Sequence, residues 1–252
     1  MQIKLDGRVA LITGASGTIG RQICAYLGRA GAQVVGACAP PDMPAAAEVV
    51  AQARAEGRTL EFVPFDVSVS ASASAAIEGI EAKHGHIDIL VNVAGITRDA
   101  PMRRMTAEQW QAVLNVNLNS VFNCSKPVAE GMAKRGWGRI VSISSVNGQR
   151  GQYGQVNYSA SKAGLHGFTM ALAQEMARKG VTVNTVAPGY VDSPMVNAVP
   201  EEVRARILAN IPMGHFGQAT DIAAAVTFLC STQAAYITGA QLPVNGGFYF
   251  SA

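Results

Sequence analysis

The stretch Val9-Ala-Leu-Ile-Thr-Gly-Ala-Ser-Gly-Thr-Ile-Gly20 decides the architecture. Its first five residues, Val9–Thr13, form a short apolar run that reads as a buried strand. The run passes straight into Gly14, Gly17 and Gly20, and then into a helical pattern that continues to about Ala30 and closes at Gly31. Glycines in that place let the chain turn tightly. They also let backbone N–H groups approach an anion at the helix N-terminus, where the macrodipole favours negative charge. Three glycines mean little by themselves in a chain with 26 of them. Their position between a first strand and a first helix gives them weight. The turn therefore predicts a pyrophosphate cradle made by Gly14, Ser16, Gly17, Thr18, Ile19 and Gly20, with Gly17 taking the permissive backbone conformation.

Outward from this turn, apolar β-branched runs alternate with longer helical patterns. Gln33–Cys38, Leu60–Phe65, Ile87–Val93, Ile140–Ser144, Val181–Ala187 and Gln241–Val244 read as six more strands. Helical patterns fall at Ala45–Glu56 and near 70–84, 106–134, 154–179 and 221–231. Strands that are apolar throughout require a sheet covered on both faces. Regular strand–helix alternation implies right-handed crossovers. The expected fold is α/β: a single doubly wound Rossmann domain over residues 1–252, with a seven-stranded parallel sheet and helices on both faces. One stretch, 188–212, breaks the alternation with four prolines and a short helical pattern, Glu201–Asn210. An insertion past a strand's carboxyl end overlies the ligand crevice of such a fold, so a substrate lid is expected there.

Composition narrows the function classes. The chain has 252 residues, 49% hydrophobic and 15% charged, which excludes a disordered protein. The net charge is +3 and the basic residues are scattered, so neither nucleic acid nor a membrane surface is indicated as partner. Cys24, Cys38, Cys124 and Cys230 form no CxxC and have apolar neighbours, as buried thiols in a reducing compartment do. The four histidines do not cluster, so no metal site is expected. The N-terminal segment lacks a secretory apolar core, and the longest helix-like apolar stretch, Ile222–Cys230, is too short to span a bilayer. A cytoplasmic protein is predicted.

The strongest chemical signal is Tyr158-Ser-Ala-Ser-Lys162. On a helix, positions i and i+4 share a face, so the phenol and the ammonium converge. Ser145 lies just past the strand Ile140–Ser144, and Asn117 lies in the preceding helical stretch. With the glycine turn, this set resembles the short-chain dehydrogenases/reductases over essentially the whole chain. Two departures are visible: Thr18 stands where the family has its middle glycine, and Val93 interrupts the family's NNAG in Asn92-Val-Ala-Gly95. The chemistry suits the residues. Reducing a ketone creates a developing alkoxide that must gain a proton, and an ordinary Tyr, with a pKa of about 10, is a weak acid for that task. Tyr158 is expected to be the general acid. Lys162 is expected to lower its pKa and, by the resemblance, to hold the nicotinamide ribose. Ser145 is expected to donate to the carbonyl oxygen. The resemblance makes Asn117 the holder of a relay water. It also assigns Asp66 and Val67 to the adenine end, Asn92, Ala94 and Gly95 to the middle of the cofactor, and Pro188, Gly189, Val191 and Ser193 to the nicotinamide end.

Within that family the segments GITRD (95–99), GWGRIV (136–141), SSVNGQRGQYGQVNY (144–158) and KAGLHGFTMALAQE (162–175) are similar to the acetoacetyl-CoA reductases. That resemblance implies reduction of a short 3-oxoacyl-CoA to the (R)-3-hydroxy product, for polyhydroxyalkanoate synthesis, in a homotetramer. Asp99, Gln152, Tyr153, Gln155 and Tyr190 would line the acyl-CoA site. Pro200 stands where that group has a basic residue near CoA. The alternative is a 3-oxoacyl-[acyl carrier protein] reductase, whose partner would use Arg98, Arg103, Arg104, Arg135 and Lys179. A silent dinucleotide-binding sensor is a third reading, opposed by the intact Ser145, Tyr158 and Lys162. The segment after the second strand, Gly36-Ala-Cys38-Ala-Pro-Pro-Asp42-Met-Pro44, holds no Lys or Arg. A 2′-phosphate needs such a group, whereas Asp42 can accept from a free 2′-hydroxyl. NADH is therefore expected to be favoured over NADPH by about tenfold, roughly 1.4 kcal/mol.

Overall fold

A computed structural model describes residues 3–250 of the chain. Its strands β1 (Val9–Thr13), β2 (Gln33–Cys38), β3 (Leu60–Pro64), β4 (Ile89–Asn92), β5 (Gly138–Ile143), β6 (Val181–Pro188) and β7 (Gln241–Val244) form one sheet in the order β3-β2-β1-β4-β5-β6-β7. Every pairing is parallel. Strand order reverses between β1 and β4, and the crevice at that switch point is where a doubly wound sheet takes its ligand.

The apolar strands sort their side chains to two cores by simple alternation. Ala10, Ile12, Val34, Val91, Val141 and Val186 face a cluster completed by α1 (Thr18–Arg29), α2 (Met43–Ala55) and α10 (Ala219–Leu229). Leu11, Val35, Leu90, Ile140 and Val183 face the other cluster. It is completed by α3 (Ser70–His84), α5 (Ser120–Arg135) and α7 (Val156–Met176). β1 is buried along its whole length because helices cover it on both sides.

The helical stretch expected near 106–134 is not one regular helix. It divides into α4 (Ala107–Leu114), a π-helical turn Asn115–Asn119, and α5. The stretch near 154–179 is α7 followed by a 3-10 turn, Ala177–Lys179. A five-residue helix, α6 (Val146–Arg150), follows β5 and was not foreseen; Ser145 caps it by accepting from Asn147 N at 3.1 Å. In the 188–212 stretch the chain forms α8 (Pro194–Asn197) and α9 (Glu201–Ala209).

Candidate active site

The glycine turn leaves β1 at Gly14, whose φ of +61° places it in the left-handed region. A Cβ there would come within 2.8 Å of the Ala94 backbone, so the close approach of this turn to the loop after β4 admits glycine alone. Gly17 was expected to carry the permissive conformation. Instead it is extended, with φ −74° and ψ 169°, as the N-cap of α1. The reason is its position: an N-cap adopts β-region angles, and the reversal has already been made at Gly14. Thr18 thus begins the helix and needs no positive φ.

A crevice of about 830 Å³ runs from this turn across the switch point. Gly14, Ser16, Gly17, Thr18, Ile19 and Gly20 line one end, and Cys38, Asp42, Asp66 and Val67 line the side after β2 and β3. Ala94, Gly95, Val191 and Ser193 continue it. These small residues and the first-turn N–H groups of α1 suit a pyrophosphate, and no Lys or Arg lies among its lining residues. Asp66 is not free to act alone: its carboxylate accepts from Ser68 N at 2.8 Å and Ser68 Oγ at 2.7 Å. Asn92 departs from its expected place. It is buried beneath the strand ends, where its amide donates to Ser142 Oγ at 3.3 Å and Ser125 Oγ at 3.5 Å, and it props the loop rather than lining the crevice. Thr13 supplies what Val93 cannot, accepting from Val93 N at 3.1 Å and Ala94 N at 3.3 Å.

A second cavity of about 290 Å³ shares Ile19, Val93, Gly95, Ile96, Val191 and Ser193 with the crevice. Ser145, Tyr158, Lys162, Gln155, Tyr190, Pro188 and Gly189 meet in it. β5 ends just before Ser145, α7 carries Tyr158 and Lys162 on one face, and β6 delivers Pro188 and Gly189. Lys162 is buried and donates to the Ile143 carbonyl at 2.7 Å; its Nζ stands 5.7 Å from the Tyr158 ring centroid. Burial lowers its pKa to about 8.

The phenol of Tyr158 is raised above its ordinary pKa, not lowered as expected. Burial is the main cause; a hydrogen bond with Ser145 opposes it, and the negative charge of Asp99 adds to the rise. The ammonium of Lys162 is engaged by a backbone carbonyl, so desolvation of the ring prevails. The raised phenol is a weaker acid than an ordinary tyrosine, but it remains far stronger than the alcohol being formed, so beside a serine hydroxyl it can still deliver a proton to an oxygen where charge develops.

Asn117 lies in the π turn with its side chain fully engaged. Its Oδ1 accepts from Ile96 N at 2.8 Å, and its Nδ2 donates to Ile96 O at 3.0 Å and Ser161 Oγ at 3.2 Å. It braces the loop after β4 against α7. Asp99 sits just outside the cavity lining and accepts from Gln155 Nε2 at 2.8 Å. Gln152 and Tyr153 do not join the cavity. Tyr153 is 85% exposed in the turn between α6 and α7. Asn147 and Val196 line the cavity and were not singled out by motif; Asn147 donates to Gln155 Oε1 at 2.9 Å. Its place depends on α6, which is too short to show a periodic pattern.

A doubly wound sheet with a phosphate-type turn at its switch point and a Ser–Tyr–Lys set beside it defines a dinucleotide-dependent oxidoreductase acting on CH–OH groups. The chain belongs to the short-chain dehydrogenase family, whose model matches residues 8–204. It is 54% identical to an acetoacetyl-CoA reductase of Allochromatium vinosum, over 96% of this chain and 98% of that one. It is 48% identical to a 3-oxoacyl-[acyl-carrier-protein] reductase of Pseudomonas aeruginosa, over 99% and 100%. The crystal structure of gox2181 superposes with a TM-score of 0.93 at 34% identity, covering 98% of this chain and 97% of that one.

Proposed function

We propose that this enzyme reduces the 3-keto group of acetoacetyl-CoA to (R)-3-hydroxybutyryl-CoA. The observation that carries the reading is the meeting of Ser145, Tyr158 and Lys162 in a cavity continuous with the crevice, in a chain so similar to an acetoacetyl-CoA reductase. A reduced nicotinamide, when bound, supplies hydride. Tyr158 gives its phenolic proton to the resulting alkoxide oxygen, and Ser145 donates to that oxygen as its charge grows. Lys162 would hold the nicotinamide ribose, while Asn117 braces the loop after β4 against α7. Gln155 and Tyr190 meet the acyl thioester, with Asp99 orienting Gln155. The carrier-protein thioester is the second reading, favoured by the similarity to a carrier-protein reductase.

NADH is the preferred cofactor in this reading. Its support is the crevice wall after β2, where Cys38, Ala39, Pro40, Pro41 and Asp42 present a carboxylate and no cation. A cytoplasmic homo-oligomer completes the proposal. No helix among the described residues is long and apolar enough to cross a membrane, and α5 and α7 bear an apolar groove open to solvent. The test is kcat/KM for acetoacetyl-CoA and its carrier-protein analogue with both cofactors, with chiral analysis of the product. We expect the CoA thioester, NADH and the (R) alcohol to prevail, and Tyr158→Phe to lose about a hundredfold or more in kcat. An (S) product would reverse the assigned substrate orientation.

A further inference from the structure

Proton delivery at Tyr158 leaves two guanidinium groups near the same cavity without a role. Tyr190, which lines the cavity, has two aromatic neighbours. Phe248 stands edge-on with its centroid 5.4 Å away, and Phe216 lies tilted at 6.5 Å. Each neighbour carries a cation on its ring: Arg150 lies 4.5 Å from the Phe248 centroid and Arg204 lies 5.8 Å from that of Phe216. Both are within the reach of a cation–π attraction, which favours keeping each guanidinium over its ring.

Neither arginine has a carboxylate partner among the described residues. The other arginine of α9, Arg206, does: it pairs with Glu202. Arg204 is turned instead toward Phe216, and its Nε is buried without a hydrogen-bond acceptor. Arg150 ends α6, the helix whose start places Ser145 and Asn147 in the cavity. Two charged forks, held on apolar rings on either neighbour of a cavity-lining tyrosine and lacking internal counterions, are suited to an external anion with several oxygens.

We propose that Arg150 and Arg204 form a phosphate-binding rim that grips the nucleotide end of an acyl-CoA while its thioester occupies the cavity. The proposal rests on the acetoacetyl-CoA reading above. It assigns CoA binding to charge at the rim and assigns turnover to the cavity.

The experiment compares acetoacetyl-CoA with acetoacetyl-N-acetylcysteamine, which has the same reacting group and no phosphate. In the wild type, added salt is expected to raise KM for the CoA thioester much more than for the truncated one. Arg150→Gln and Arg204→Gln are each expected to raise KM for acetoacetyl-CoA roughly tenfold with little change in kcat, as loss of uniform binding does. Lysine at either position should restore part of the loss. The truncated thioester serves as the internal control for folding. Unchanged KM for acetoacetyl-CoA overturns the rim, as do equal KM increases for both thioesters or a loss confined to a carrier-protein substrate. Absence of turnover with either thioester in the wild type removes the reductase reading itself, and the rim falls with it.

Discussion

The ammonium of Lys162 is buried with a backbone carbonyl for its partner. That burial takes its pKa from 10.5 to about 8. The sign of the consequence follows from linkage: between pH 8 and 10.5 the unfolded chain binds more protons than the folded one, so stability rises with pH across that window. Below pH 8 the folded state carries the whole cost, about 3 kcal/mol. Lys162→Met should therefore make the cofactor-free protein more stable at pH 7, by at most about 3 kcal/mol, with the gain shrinking toward pH 10. Urea denaturation at several pH values measures this, and a gain that does not shrink would rule the explanation out. The pairing of Tyr158 with Lys162 was readable from i, i+4 spacing because helix geometry converts it into proximity, whereas Ser145 entered through the family resemblance. The direction of the Tyr158 shift was not, since it depends on how much water the surrounding elements remove.

At the scale of elements, the turn between β1 and α1 separates two glycines that look alike in the sequence. Gly14 has φ +61° and a neighbouring backbone 2.8 Å from where a Cβ would stand. Gly17 is extended and its Cβ would meet nothing closer than 3.4 Å. Gly14→Ala should cost about 1–3 kcal/mol of stability and weaken dinucleotide binding, because the clash is with backbone that cannot rotate away. Gly17→Ala should cost less, at most about 1 kcal/mol, as the loss of a favourable N-cap residue without backbone clash does. Paired thermal melts and a cofactor titration decide it, and equal effects at both positions would contradict the geometry. The motif identified the turn, but it could not say which glycine makes the reversal. The π turn around Asn117 was hidden for a related reason: its apolar spacing passes for an ordinary helix, and its distinction lies in the hydrogen-bond pattern.

Over the whole molecule, α5 and α7 cover one core and also present a largely apolar outward groove lined by Phe122, Ala129, Phe168, Leu172 and Met176, with Lys126, Glu130, Glu175 and Lys179 also on it. Phe122 is 51% exposed there. An apolar face of this kind is suited to a second copy of the chain, so Phe122→Glu should lower the association state in sedimentation while leaving the far-UV circular dichroism unchanged. An unaltered sedimentation profile would remove this face from the interface. The sequence by itself determined the α/β class, the seven strands and the existence of the long helices between them, and it pointed to the Ser145, Tyr158 and Lys162 set. The class and the strands rest on periodicity, which the backbone converts directly into direction, and the Tyr158–Lys162 pairing rests on i, i+4 spacing; Ser145 joined the set through the family resemblance. Only the tertiary structure decided that Asn92 points inward to Ser142, that Tyr153 stands in solvent, and that Arg150 and Arg204 flank one tyrosine. Those facts depend on contacts between residues far apart in the chain, where the packing of several elements sets the geometry and local pattern carries no trace of it.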